Sequence, residues 1–175
     1  MPEVARLATT IIAIDDGRVV RHGTTANVLA DPDAFPLMGR QEAGSVLTAR
    51  IASHDTVDGL SELEFTGGRL ITPLVNAGPG TRVRLRIRAR DIVLALKPPE
   101  ETSALNIIPA IVERIGQRDG AIADVALRCG ADTILARITR RSLERLSLEP
   151  GKPCYVMLKS IAVARRGVGI LASGD

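Results

Sequence analysis

Apolar and polar residues alternate along much of this chain. The clearest run is Arg82–Arg88, in which basic and apolar side chains take strict turns. A period of two is typical of a β-strand with one buried face, so we expect the arginines outside and the apolar residues inside. Comparable patterns predict strands at Val46–Ile51, Leu60–Phe65, Arg69–Val75, Ile107–Ile115, Ala121–Arg128, Thr133–Ile138 and Cys154–Val163.

The first 43 residues follow a different pattern. Glu3–Ala8 has a helical pattern, and the β-branched run Thr9–Ile14 predicts a strand. Asp15-Asp16-Gly17 predicts a turn into a returning strand at Arg18–Arg21, so the pair is expected to be a hairpin. Thr24–Leu29 predicts a short helix with a threonine N-cap, which ends before Pro32.

Two β-rich segments resemble each other. Gly59–Leu63 matches Gly120–Val125, and Gly78–Val83 matches Leu148–Cys154. Each segment contains about five short strands separated by glycine turns, a pattern typical of small OB-type barrels. Only the second segment carries a predicted helix, which Thr139 would cap.

These patterns divide the chain into three parts: 1–43, 44–98 and 102–172. Pro98–Glu101 forms the predicted linker between the last two. We therefore expect a mostly β protein with two OB-like small β-barrels, preceded by a short α+β segment.

Composition excludes several classes of protein. The longest apolar runs are far shorter than the roughly 18 residues that a membrane span needs, and the acidic start does not resemble a signal peptide. We therefore expect a cytoplasmic location. Cys129 and Cys154 have no neighbours at metal-ligand spacing, so we interpret them as small buried hydrophobic residues. The net charge of +3 comes mainly from local arginine clusters, one of which includes Arg165 and Arg166.

Motifs for catalysis are missing from the sequence. It contains no phosphate-binding loop, no dinucleotide-binding glycine motif, no His-Glu-x-x-His and no nucleophile elbow. His54 beside Asp55 could form half of a catalytic pair, but a solvent-exposed loop histidine is the interpretation we favour. The chain is therefore not expected to be an enzyme on its own.

Three stretches offer donors for an anion. Thr102–Asn106 contributes hydroxyls and amides, Lys159-Ser160 a cation and a hydroxyl, and Thr139 with Ser142 a helix start. A tetrahedral dianion accepts hydrogen bonds on every oxygen, so such a set could bind one without a metal. Each piece alone also fits a simpler role, as a linker end, a solvated lysine or an ordinary helix cap.

The order of these stretches resembles a known family. Thr102–Asn106, Ile138–Leu146, Pro150–Lys152 and Leu158–Ser160 resemble the Mop (molybdate-binding, TOBE-type) domain, and Arg86–Ile92 resembles the matching strand of a first Mop copy. Before them, the chain resembles the tail of an ABC ATPase domain. That likeness rests on Glu3-Val4, Leu7-Ala8, Asp16–Val19, Gly23 and Val28-Leu29.

The resemblance implies a ligand and an assembly. The chain would be the carboxy-terminal part of a molybdate ABC-transporter ATPase, with tandem Mop domains that dimerise and bind molybdate or tungstate between barrels. The intact subunit would contact a membrane permease at the inner face of the membrane, and no cofactor beyond the oxyanion is implied. The positions that resemble the family's ligands are Ser103, Ala104, Thr139, Ser142, Lys159 and Ser160.

One position departs from the family pattern. A basic residue usually follows Ser-Ala, whereas this chain has Leu105, so one charge-assisted donor is missing. Either the affinity is weaker, or Arg88, Arg90 or Arg137 supplies the charge. The first copy also lacks a Ser-Ala-x-Asn element, so we do not expect it to form a full site alone.

Three other functions fit parts of the sequence. The chain could be a free-standing molybdate-binding or storage protein, although its ATPase-like start argues against this. It could be a ligand-free scaffold that holds an importer dimer together. It could also be an OB-type nucleic-acid-binding module, but Phe35, Phe65 and Tyr155 are its only aromatic residues, and single-strand binders usually stack bases on aromatic side chains.

Overall fold

A computed structural model of the chain describes residues 7–32, 43–116, 120–162 and 168–171. Most of these residues lie in β-strands, which confirms the predicted fold class. None of the helices in these ranges has the length and apolarity needed to cross a membrane. The predictions for Glu3–Val4, Phe35, Arg165 and Arg166 lie outside the described residues.

The first part of the chain is a hairpin followed by one helix, as predicted. Strands β1 (Thr10–Asp15) and β2 (Arg18–Thr24) pair in an antiparallel arrangement. Helix α1 (Thr25–Leu29) follows, and the Thr24 hydroxyl accepts a hydrogen bond from the Asn27 amide as its N-cap.

Two five-stranded antiparallel sheets make up the rest. The first sheet has the order β12-β6-β3-β4-β5, and the second has the order β10-β9-β8-β11-β7. The bounds in the first segment are β3 Gly44–Asp55, β4 Leu60–Phe65, β5 Gly68–Pro73, β6 Arg82–Arg88 and β7 Val93–Ala95. Those in the second are β8 Asn106–Ile115, β9 Ile122–Cys129, β10 Asp132–Thr139, β11 Pro153–Leu158 and β12 Val168–Ile170.

Three short helical elements complete the second segment and the junction. Helix α2 (Arg140–Arg145) follows β10 and has Thr139 as its N-cap, as predicted. A 3-10 turn at Ala89–Asp91 follows β6, and another at Ser160–Ala162 follows β11. The predicted strand Cys154–Val163 is therefore too long. It ends at Leu158 because that residue pairs with Asn106, where β8 begins.

The two sheets exchange their last strands. Strand β7 lies in the predicted first barrel, yet it pairs with β11 of the second sheet. Strand β12 lies in the predicted second barrel, yet it pairs with β6 of the first sheet. The sheets therefore have matching strand orders, in agreement with the predicted repeat, but strand pairing crosses the boundary predicted at 98–102.

A shared core follows from the alternating strands. Val83, Leu85 and Ile87 of β6 are buried, whereas the arginines between them are more exposed. They belong to one cluster of buried side chains that also contains Leu127 and Val156 of the second sheet. The two sheets therefore share one hydrophobic core.

Polar side chains join the two repeats inside the protein. The buried Asn106 side chain accepts a hydrogen bond from the Ile71 amide at 2.6 Å and donates one to the Ile71 carbonyl at 2.9 Å. The buried Ser45 hydroxyl accepts a hydrogen bond from the Leu135 amide at 2.7 Å. At Gly130, whose φ is +64°, an added Cβ would overlap the carbonyl oxygen of Thr66. The repeats are therefore in close contact.

His54 does not lie in an exposed loop, which makes that prediction wrong. Strand β3 extends to Asp55, so His54 is part of a strand and half-buried. Its Nδ1 lies 2.8 Å from the Ser61 hydroxyl, and its Nε2 lies 2.8 Å from the Ala77 carbonyl oxygen. Both ring nitrogens are therefore engaged in holding neighbouring strands and loops.

Candidate functional site

The candidate site is a cavity of about 500 Å³ where the linker meets the end of the second sheet. Three separate stretches of the chain line it. They contribute Arg88, Asp91 and Val93 between the end of β6 and the start of β7, Thr102, Ser103 and Ala104 before β8, and Met157, Leu158, Lys159 and Ala162 at and after the end of β11.

The pairing of two strands explains why distant residues meet in this cavity. Asn106 begins β8 and pairs with Leu158, which ends β11. Residues just before Asn106 and just after Leu158 must therefore lie side by side. This arrangement places Ser103 and Lys159 in one cavity, although 56 positions separate them in sequence.

The segment before β8 has a local turn that exposes its serine. The Thr102 hydroxyl accepts a hydrogen bond from the Ala104 amide at 3.1 Å. Ser103 is exposed at the cavity, whereas Ala104 is buried. The hydroxyl of Ser103 can therefore reach a molecule in the cavity while Ala104 anchors the segment.

Ser160 directly follows Lys159 and has an unusual environment. The residue is buried, and its hydroxyl has no hydrogen-bond partner among the described residues. Leaving such a group unpaired costs roughly 1–3 kcal/mol. A polar ligand that reached this hydroxyl would remove the penalty.

Thr139 and Ser142 lie outside the cavity, at the start of α2. The Thr139 hydroxyl accepts a hydrogen bond from the Ser142 amide at 3.1 Å, and the two hydroxyls are 2.9 Å apart. Thr139 pairs with Ile122 at the end of the sheet where β8 finishes, whereas Lys159 lies at the end where β8 begins. Within one chain these two residues therefore cap α2 and do not line the cavity.

One of the three arginines considered from sequence is placed to supply the positive charge that Leu105 lacks. Leu105 is 53% exposed and carries no charge. Arg137 makes a two-pronged ion pair with Asp124, with both N–O distances at 2.7 Å. Of the three arginines considered from sequence, Arg88 lines the cavity and the other two do not.

Asp91 also lines the cavity, and no pattern in the sequence predicts its presence there. Its position follows from the register of β7. Val93 pairs with Met157, and this pairing brings the preceding turn, which contains Asp91, beside the end of β11. That pairing crosses the two repeats, so alternation within either repeat could not reveal it.

The donor set suits an anion. The cavity combines the Lys159 ammonium, the Arg88 guanidinium and hydroxyl groups, and such donors bind oxyanions through charge-assisted hydrogen bonds. No group of three or more His, Cys, Asp or Glu side chains in the described ranges could hold a metal ion. A larger cavity of about 710 Å³ beside His54 has mainly apolar lining residues, and no lysine or arginine lines it.

Comparisons with known proteins agree with this picture. Residues 102–164 match the model of the TOBE domain. The whole chain aligns with the molybdenum import ATP-binding protein ModC of Paramagnetospirillum magneticum at 40% identity, and 92% of it aligns with ModC of Albidiferax ferrireducens, also at 40%. The chain spans 47% and 43% of these two relatives, or about half their length.

A solved structure shares the fold. The cytoplasmic molybdate-binding protein ModG, in a crystal form with molybdate bound, superposes with a TM-score of 0.59. The match covers 73% of this chain and 96% of that one, at 19% sequence identity. This likeness confirms the predicted OB-like architecture of the two β-rich segments.

Residues 102–164 therefore match the TOBE domain, in a chain that is similar along its whole length to the carboxy-terminal region of molybdenum import ATP-binding proteins.

Proposed function

We propose that this chain binds molybdate or tungstate as the regulatory region of the ATP-binding subunit of an ABC importer. The main support is the meeting of Ser103 and Lys159 in one cavity. Ser160 directly follows Lys159 and does not itself line the cavity, but its buried hydroxyl has no hydrogen-bond partner among the described residues. The relatives named above are molybdenum import proteins, and the fold neighbour binds molybdate.

The proposed site also needs a second copy of the chain. Thr139 and Ser142 lie at the opposite end of the sheet from Lys159, so they can join its ligand only from a partner subunit. The site is therefore proposed to form in a homodimer, with Ser103, Ala104, Lys159 and Ser160 from one subunit and the α2 start from the other.

Regulation would follow from linkage between binding and dimer arrangement. A ligand that prefers one arrangement of the two subunits shifts the equilibrium toward it. In the intact subunit, at the inner face of the membrane beside its permease, this shift would oppose ATP hydrolysis when cytoplasmic molybdate is plentiful. The reaction itself belongs to the ATPase domain, and this chain contributes binding only.

The hairpin supports the link to an ATPase domain. Its outer face exposes Ile12, Ile14 and Val19, each more than half accessible to solvent. Exposed apolar side chains grouped on one surface commonly mark a contact with another protein surface. Here the proposed contact is the remainder of the ATPase domain in the intact subunit.

Isothermal titration calorimetry tests the binding proposal. We expect molybdate and tungstate to bind the chain, and Lys159→Ala to weaken binding about 10- to 100-fold, since a hydrogen bond to a charged group contributes about 1.5–3 kcal/mol. Lys97→Ala is the matched control, because Lys97 is exposed and does not line the cavity.

Two results would contradict the proposal. One is the absence of heat with molybdate, tungstate and sulfate. The other is equal affinity of the two lysine variants. A stable dimer without oxyanion binding, measured by sedimentation, would instead favour the scaffold alternative.

A further inference from the structure

We infer that Arg88 of the first repeat is the second cation of the oxyanion site, beside Lys159. This inference rests on the proposed function. Under this inference, both repeats of one chain contribute cations to the site, and the second repeat does not form it alone.

The position of Arg88 follows from the repeat. Ile87 pairs with Ser45, the second residue of β3, and Leu158 pairs with Asn106 of β8. Arg88 follows Ile87 directly, as Lys159 follows Leu158, and a 3-10 turn begins after each cation. Arg88 and Lys159 are therefore equivalent residues of the two repeats.

The exchange of strands brings these equivalent cations together. After the turn that follows Arg88, the chain continues as β7 and pairs with β11 of the other repeat. The start of that turn is thereby placed beside the end of β11, and both cations line one cavity. If β7 did not pair with β11, it would not run beside the end of that strand, which Lys159 directly follows.

The charge balance of the cavity depends on Arg88. Its charged lining residues are Arg88, Asp91 and Lys159, with a formal sum of +1. Without Arg88, the Asp91 carboxylate would offset the Lys159 ammonium, and the lining would be neutral. A dianion is attracted by a positive site far more than by a neutral one.

The guanidinium of Arg88 is available for a ligand. It is exposed, and within the described residues no hydrogen bond or ion pair holds it. Its planar fork can donate two parallel hydrogen bonds to adjacent oxygens of a tetrahedral anion. Arg90 lies two residues away, beside Asp91, and does not line the cavity.

Calorimetric titration with sodium molybdate provides the test. We expect Arg88→Gln to weaken binding by roughly 10- to 100-fold, Arg88→Lys to weaken it less, and Arg90→Gln to leave it unchanged within about twofold. The Arg90 variant is the matched control, because it removes the same charge two residues away, from a side chain that does not line the cavity. Thermal unfolding of each variant separates a loss of binding from a loss of fold.

Equal affinity of Arg88→Gln and Arg90→Gln, while the unsubstituted chain binds molybdate, would overturn the inference. A failure of the unsubstituted chain to bind would overturn the proposed function as well.

Discussion

At the scale of single residues, burial in the core raises the pKa values of two cysteine thiols. Cys129 and Cys154 are almost fully inaccessible and are not joined by a disulfide. Burial raises the pKa of the Cys129 thiol to about 12, with smaller contributions from Cys154 and Asp132. Burial also raises the pKa of Cys154. Both residues therefore remain neutral, which suits the role of small hydrophobic residues predicted from sequence.

The raised pKa of Cys129 predicts a loss of stability in alkali. In the unfolded chain the thiol ionises near its ordinary pKa of 9.0, whereas in the folded protein its pKa is raised to about 12. Folding stability from this group is therefore complete below about pH 9 and decreases as pH rises toward 12, by about 1.4 kcal/mol per pH unit.

Urea unfolding at pH 8, 9, 10 and 11 measures this effect. Cys129→Ala removes the titrating group, and its cost from lost packing does not depend on pH. We therefore expect the difference in free energy of unfolding between the two proteins to shrink as pH rises. A constant difference across this range would show that the Cys129 thiol does not control alkaline stability.

Sequence could predict the burial of these cysteines because their neighbours are apolar and alternate. It could not predict the environment of His54, because that histidine follows an irregularity in the pairing of β3 with β4. Its partners Ser61 and Ala77 come from later segments. Contacts of this kind depend on which residues of two strands pair, and the local alternation of apolar and polar residues does not specify that pairing.

At the scale of elements, one edge strand of each sheet is bonded by a side chain from the opposite repeat. Strands β5 and β10 are edge strands, whose outward backbone groups would otherwise be unpaired. Asn106 pairs with the Ile71 backbone in β5, and Ser45 pairs with the Leu135 amide in β10. These contacts give the Asn of the Ser-Ala-x-Asn element a structural role beside the candidate site.

Replacement of Asn106 should therefore destabilise the contact between the repeats. Asn106→Leu keeps the size of the side chain but removes both hydrogen bonds to the backbone of the half-buried Ile71. At a net contribution of about 0.5–1.5 kcal/mol for each hydrogen bond, we expect a loss of roughly 1–3 kcal/mol in the free energy of unfolding. The measurement is chemical denaturation monitored by circular dichroism.

Asn76→Leu is the control for this substitution, because Asn76 is exposed. We expect it to change stability by less than about 0.5 kcal/mol. Equal stability of the two variants would show that the Asn106 contacts do not support the fold.

Strand alternation predicted the long elements well and the short ones poorly. In β6, strict alternation fixed both the strand and its buried face. Strands β7 and β12 have three residues each, too few for a period to specify a partner. The pairing of β7 with β11 brings Arg88 beside Lys159. The sequence therefore offered Arg88 as one of three candidate arginines but could not single it out.

At the scale of the whole molecule, the hairpin segment is attached to both repeats. Arg84 of β6 donates a hydrogen bond to the Ala8 carbonyl at 3.0 Å. On the other side, Asp31 accepts charge-assisted hydrogen bonds from Arg21 at 2.7 Å and from Arg114 of β8 at 2.6 Å. A shift of the repeats would therefore be transmitted to the segment that resembles an ATPase domain.

Asp31 is the best single position at which to weaken this attachment. Its side chain is only 15% exposed, whereas its two arginine partners are about half exposed, so solvent screens each pair in part. Asp31→Asn keeps the shape of the side chain but removes its charge. We expect backbone amides of β1 and β2 to exchange with deuterium about tenfold faster, while those of β8 and β9 keep their protection.

Glu100→Gln provides the control in this experiment, because it removes one negative charge from an exposed residue of the linker. If the hairpin were held mainly by apolar packing against β3, both variants would exchange at the rate of the unsubstituted chain. The attachment would then not depend on Asp31, and movement of the repeats would have to reach the hairpin through Val46 and Leu29 instead. Faster exchange confined to the Asp31 variant would identify the paired arginines as the physical link between the proposed oxyanion site and the segment that precedes it.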